Sequence, residues 1–181
     1  CFGTLAQPTG QARNTIYRFL DTARRAIRIF DVNLRQDYHS AQILRRSCER
    51  ATVVKLNREE LPLVARQVAR PGADDDEDAL AQSLLREFRD IKVIALTRGE
   101  AGTVLYRGEE RAEGKPARYP SAEGADAVGA GDACTAGIAV GLALRKPLQE
   151  VADLANDVGA YVASQPGGTP NLPEEILGKV Q

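Results

Sequence analysis

Short apolar runs alternate along this chain with longer stretches in which apolar positions recur every three or four residues, the alternation of strands with amphipathic helices. Residues 1–5 predict a strand, 14–26 a helix, 27–33 a strand, 41–50 a helix and 52–57 another strand. A further helix opens at Asn57-Arg-Glu-Glu60, where Asn57 in the N-cap position and Glu60 three residues on form a capping-box pattern. A helix over residues 79–88 and a strand over 91–96 follow, and the polar break at Arg107-Gly108 predicts a β-hairpin across 102–119. The remainder is helical, over 133–144 and over 148–164 after Pro147, before a loop at 165–170. Strand–helix alternation of this kind builds an α/β domain on a mostly parallel sheet, and no repeat or linker divides it.

The stretch richest in chemistry is Asp126-Ala-Val-Gly-Ala-Gly-Asp-Ala-Cys134. Small residues at Gly129, Ala130 and Gly131 let backbone N–H groups converge on an oxyanion, and a following helix adds its positive end. A carboxylate beside an anion site is unfavourable unless it acts on a proton, which makes Asp132 a candidate general base. The simpler alternative is that Asp132 caps the helix. Thr97-Arg-Gly-Glu-Ala-Gly102 follows a predicted strand and offers a hydroxyl and two glycines where a phosphate could approach, or forms an ordinary turn. Ligand sites in open α/β sheets gather at such strand ends.

Charge narrows the choice. With 24 basic and 25 acidic residues the net charge is -1, which gives no footprint for nucleic acid or an anionic membrane. The apolar run at 133–144 is too short to cross a bilayer. Cys1, Cys48 and Cys134 form no metal or redox pattern, so a reduced, cytoplasmic chain is expected. The acidic run 74–78 reads as a solvated loop and helix start rather than a metal site. The single histidine, His39, reads as a surface residue.

Asp126-Ala-Val-Gly-Ala-Gly-Asp132 resembles the C-terminal signature of the ribokinase-like PfkB family of sugar and nucleoside kinases. Asn57-Arg-Glu-Glu60 is similar to that family's Asn-x-x-Glu motif, Leu96-Thr-Arg-Gly-Glu-Ala-Gly102 to its nucleotide-binding turn, and Ser164-Gln-Pro-Gly-Gly-Thr-Pro170 to its late loop. Phe30-Asp-Val-Asn-Leu-Arg35 resembles the stretch found in fructokinases and 2-keto-3-deoxygluconate kinases. The resemblance implies a three-layer α/β/α fold with a mostly parallel central sheet, here incomplete, with residues 1–181 as the C-terminal nucleotide-binding and catalytic portion.

It also implies roles. Asp132 would take the proton of a sugar hydroxyl, and the N–H groups of Gly129, Ala130 and Gly131 would stabilise the transferring phosphoryl group. Asn57 and Glu60 would organise Mg²⁺ and its waters, a role compatible with a capping box. Thr97, Gly99 and Gly102 would line ATP, and Asn156 would lie at the adenine. Arg35 would contact the sugar, with pairing to Asp31 as the structural alternative. Asp126, the Val128 carbonyl and carbonyls near Gly167 form the set with which some members hold K⁺. Ala127 departs from the usual Asp-Thr and removes a hydroxyl.

The expected activity is ATP-dependent phosphorylation of a small-molecule sugar, most like fructokinase, and the full-length protein could be a homodimer. The chain contains no methionine and opens on what reads as a core strand entered midway, so a fragment of a longer product is expected, without the small lid that covers the sugar. That leaves a second reading, a nucleotide-binding or interaction module without catalysis. A dinucleotide-binding dehydrogenase fits less well, because its glycine fingerprint belongs after an early strand with an acidic residue about twenty positions later.

Overall fold

The computed structural model describes residues 1–35, 38–72, 76–115 and 117–180. In chain order these form β1 (Phe2–Gly3), α1 (Gly10–Thr22), β2 (Ile29–Asp31), α2 (Ala41–Cys48), β3 (Val53–Asn57), α3 (Glu60–Val68), α4 (Glu77–Glu87) and β4 (Val93–Thr97). A 3-10 turn (Gly99–Ala101), β5 (Thr103–Arg107), β6 (Glu110–Glu113), α5 (Ala130–Ala143), α6 (Leu148–Ala163), α7 (Glu174–Leu177) and a closing 3-10 turn (Gly178–Val180) follow. The strands form one six-stranded sheet in sequential order, β1 to β6, parallel from β1 through β4. The α/β class expected from the alternation is the class observed.

Two compact units divide the chain, one of Cys1–Thr97 with Tyr106–Glu110, the other of Arg98–Leu105 with Arg111–Gln181. In the first, the central strands are buried on both faces, as parallel strands covered by helices must be: Phe30, Val54, Leu56, Ile94 and Leu96 on one face, and Val53, Val93 and Ala95 on the other, are closed to solvent or nearly so. Register sets Asp31 opposite Lys55 and Asn57 opposite Thr97. Because side chains of paired residues share a face, Asp31, Lys55, Asn57 and Thr97 line one face toward the strands' C-terminal ends.

In the second unit α5 packs closely on α6 through small residues. A Cβ at Gly137 would lie 2.8 Å from the Ala155 Cα, so a larger residue there would force the helices apart. Farther along, Leu154, Val158 and Ile176 form a core flanked by an edge-on Tyr119–Tyr161 pair with ring centroids 5.4 Å apart.

Several boundaries differ from expectation. α1 begins at Gly10 rather than at residue 14, because the Thr9 side chain accepts from the Ala12 N–H and caps it, and the helix ends at Thr22. α5 begins at Ala130 rather than 133, because left-handed Gly129 is its N-cap. α7 follows Pro173 in a tail with no earlier helical signal. No helix among the described residues is long and apolar enough to cross a membrane.

Candidate functional site

Gly129 has φ 79° and ψ −9°, a left-handed conformation that glycine adopts without strain. It also faces the late loop, where a Cβ would sit 2.6 Å from the Gly168 carbonyl oxygen. The loop is tied down by the Ala122 N–H, which donates to Ser164 O at 2.8 Å. The Gly129 carbonyl accepts the first helical bond from Ala133 at 2.8 Å, and the Ala130 N–H donates to Ala127 O at 3.2 Å. The helix offers no carbonyl to the N–H groups of Gly131 and Asp132, which lie in its first turn. Asp132 is exposed and sits two residues inside α5, so the capping role is taken by Gly129 and not by Asp132.

Beside this turn, Asp126 Oδ1 accepts from the Val128 N–H at 2.9 Å, and a Cβ on Gly168 would be 3.7 Å from the Val128 carbonyl oxygen. Asp126, Val128 and the Gly167–Gly168 loop are therefore neighbours.

The turn after β4 belongs to the same unit from Arg98 onward. Gly99 (φ 59°) is exposed and faces open space, whereas Gly102 (φ 85°) is buried. The turn closes on itself: Arg98 N–H donates to Gly102 O at 2.8 Å and Gly102 N–H to Gly99 O at 3.0 Å. Arg98 also pairs with Glu113, which Arg111 contacts at 2.9 Å, and hydrogen bonds from the two guanidiniums hold the Glu113 carboxyl below its ordinary range.

Asn156, which an isolated helix position would leave exposed, is buried at 7% accessibility. Its Nδ2 donates to Lys115 O at 3.0 Å, and a Cβ on Gly102 or Gly114 would come within 2.9 or 2.6 Å of that nitrogen. One residue beyond Gly102, Thr103 Oγ1 lies 3.6 Å from Cys134 Sγ, two residues beyond Asp132. Gly102, Asn156 and the start of α5 are thus joined by contact.

The first unit gathers Asn57, Glu60, Thr97 and the Arg35 loop. Asn57 Oδ1 accepts from the N–H groups of Glu59 and Glu60, each at 2.9 Å, and Glu60 Oε2 accepts from the Asn57 N–H at 2.9 Å. This is the reciprocal bonding expected of a capping box, although α3 proper starts at Glu60. Glu60 Oε1 accepts from the Leu34 N–H at 2.8 Å, so the buried carboxylate holds two loops. Thr97 Oγ1 lies 3.4 Å from Leu56 O.

Arg35 is exposed and donates to Asn33 Oδ1 at 3.2 Å, whereas Asp31 accepts from Lys55 Nζ at 2.9 and 3.0 Å. That buried ion pair escaped the sequence reading, since only strand register reveals it. His39 is half-buried between exposed Tyr38 and Ser40. Residues 74 and 75 of the acidic run lie outside the described residues, while Asp76 caps α4 by accepting from the Ala79 N–H. Among the described residues no group of three His, Cys, Asp or Glu side chains could hold a metal. Cys1 is exposed; Cys48 is buried, which pushes its thiol up to about 12, and Cys134 is buried.

A helix opened by a left-handed glycine, a closed glycine turn after a strand and an Asn-x-x-Glu box on a parallel sheet define a ribokinase-like α/β protein. The model of the pfkB family carbohydrate kinase matches residues 7–175, and the chain belongs to that family. It is 32% identical over 156 residues to a fructokinase of Escherichia coli, a match that takes in 80% of this chain and 47% of that protein. The chain therefore spans about half the length of that relative. Aminoimidazole riboside kinase from Salmonella enterica, solved with aminoimidazole riboside and an ATP analog, superposes with a TM-score of 0.77 at 20% identity, over 99% of this chain and 61% of that one. For 2-dehydro-3-deoxygluconokinase from Thermotoga maritima the TM-score is 0.79 at 18% identity, over 99% and 58%. At these identities the structural likeness speaks for the fold.

Proposed function

We propose that the chain is the nucleotide-binding and catalytic portion of an ATP-dependent carbohydrate kinase, fructokinase-like in its acceptor. The observation that carries the proposal is the start of α5. Gly129 as N-cap supplies no side chain, the first-turn N–H groups of Gly131 and Asp132 have no helical acceptor, and exposed Asp132 stands beside them. In the transfer, a sugar hydroxyl oxygen bonds to the γ-phosphorus as the bond to the β,γ-bridging oxygen breaks, and ADP leaves with that electron pair. Asp132 takes the hydroxyl proton, and the helix-start amides hold the charge on the phosphoryl oxygens.

The donor set around Glu60 fits magnesium held through water. Its carboxylate accepts two backbone N–H bonds, and each oxygen keeps a second lone pair for a metal-bound water. When bound, Mg²⁺ neutralises charge on the β- and γ-phosphates. Asp126, Val128 O and the loop at Gly167 are the groups that would hold K⁺. Exposed Gly99 and half-buried Thr97 are the nucleotide-turn residues open to ATP, and Gly102 and Asn156 support that turn from behind. Arg35 is the sugar contact.

The test is sugar-dependent ADP release from MgATP across ketohexoses, aldohexoses, hexonates and nucleosides, with the polypeptide at its full encoded length. Asp132→Ala should lower the sugar-dependent rate by about a hundredfold or more while MgATP still binds. Nucleotide binding without ADP release dependent on any acceptor would sink the kinase reading in favour of a non-catalytic nucleotide-binding module.

A further inference from the structure

Glu60 does more than close the box at the start of α3. Its Oε2 accepts from Asn57, at the end of β3, while its Oε1 accepts at 2.8 Å from Leu34, which lies 26 residues away in the loop after β2. An ionised carboxylate can satisfy two N–H donors at once because it carries only acceptors. The residue is buried, so both bonds are charge-assisted and shielded from water.

The loop it grips has little other freedom. Thr4 Oγ1 donates to the carbonyls of Val32 and Asn33 at 2.9 and 3.0 Å, and Asn33 is held left-handed at φ 42°. From that residue Asn33 Oδ1 accepts from Nε of the exposed Arg35 at 3.2 Å, a bond that leaves the two Nη groups unused. Backbone geometry at Leu34 therefore sets where the Arg35 fork stands.

We infer that Glu60 is a positioning residue that couples the nucleotide side of the site, at Asn57, to the acceptor side, at Arg35. The inference rests on the kinase reading above. Because both N–H bonds end on one carboxylate, a displacement of that carboxylate when MgATP engages its remaining lone pairs weakens or strengthens them together. The Arg35 loop is thereby adjusted without touching the nucleotide. Coupling is reciprocal, so an acceptor held by Arg35 tightens or loosens MgATP by the same factor.

The experiment is an amide and guanidinium NMR titration, with MgATP, of the polypeptide at its full encoded length. In the unmodified chain the Asn57 and Leu34 amides and the Arg35 Nε–Hε resonance should shift along one isotherm with a shared Kd. In Glu60→Gln, whose side chain has one acceptor oxygen and one donor nitrogen, the two loops cannot both be held. The Leu34 and Arg35 shifts should then vanish while MgATP binding read at Asn57 weakens by about fivefold or more. A response at Asn57 with none at Leu34 and Arg35 in the unmodified chain overturns the coupling and leaves nucleotide binding standing. No response at any of the three overturns both. Because the unmodified chain alone decides, a Glu60→Gln protein that failed to fold would not protect the inference.

Discussion

Replacing Gly129 by alanine perturbs the start of α5 in two separable ways. The first is conformational: at φ 79° an L-residue is left-handed, at a cost of about 1–2 kcal/mol, partly offset by the smaller entropy of an unfolded chain carrying alanine, about 0.4–1 kcal/mol. The second is steric. The new Cβ would lie 2.6 Å from the Gly168 carbonyl oxygen, roughly 0.8 Å inside an ordinary contact of 3.4 Å, and 2.7 Å from the Gly168 Cα. Those are backbone atoms and cannot swing aside, so the late loop or the helix start must move, with an overpacking cost of about 1–3 kcal/mol.

Gly167 supplies the matching control, since it too has φ 79° but a Cβ there meets nothing within 4 Å. Gly167→Ala should therefore show the conformational term alone. In urea or thermal unfolding followed by far-UV circular dichroism and tyrosine fluorescence, Gly129→Ala should be less stable than Gly167→Ala by about 1–3 kcal/mol. At about 2–4 °C per kcal/mol for a chain of this size, that separates the two transitions measurably. If the variants agree within about 0.5 kcal/mol, the spread expected of independent sites, the close approach of Gly129 to the late loop is refuted.

Two further outcomes follow from buried groups. Asn156→Ala removes a buried amide that donates to Lys115 O at 3.0 Å and should cost about 1–3 kcal/mol of stability. Because that amide holds the turn from behind, ATP and GTP affinities measured by calorimetry should weaken together; a collapse of the ATP-to-GTP ratio would instead make Asn156 a reader of the base. The second concerns Cys48, whose thiol is raised by burial from 9.0 to about 12. The folded protein then keeps a proton that the unfolded chain releases, so this contribution is intact below pH 9 and lost as pH rises from 9 toward 12. The slope is about 1.4 kcal/mol per pH unit. Urea titrations across that range should show Cys48→Ala less stable at pH 8 but with a flatter decline, and an equal decline in both proteins would refute the assignment.

What could be read in the sequence was what local spacing decides. Asn57 and Glu60 stand three apart, within reach of each other's backbone N–H, so their reciprocal bonding followed from order alone. The hairpin at Arg107-Gly108 and the helix after Pro147 were legible for the same reason. What escaped was long-range. Asp31 meets Lys55 through β2–β3 register, Leu34 meets Glu60 across a folded loop, and Asn156 is buried only because two glycines and the Lys115 carbonyl converge on it. α5 starts three residues before its expected position because Gly-Ala-Gly discourages a helix by propensity, whereas a left-handed glycine N-cap and packing on α6 allow one to begin inside it.

Glycine in a motif has two distinct physical meanings, and the space at each Cβ position tells them apart. A glycine whose missing side chain is replaced by protein backbone serves the fold; one that opens onto nothing leaves room for something else. Gly102, Gly114 and Gly129 are of the first kind, each with another part of the chain within 3 Å of the position a Cβ would take. Gly99 is of the second kind, exposed and with no atom within 4 Å. The two glycines of Thr97-Arg-Gly-Glu-Ala-Gly102 are therefore not equivalent. Gly102 fixes the shape of the turn through its bonds with Arg98 and Gly99 and its packing on Asn156, and the shape so fixed presents Gly99 to solvent. Of the pair, only Gly99 can meet a phosphate with its backbone, so a side chain there should act on nucleotide affinity in a way that one at Gly102, which first disrupts the fold, cannot reveal.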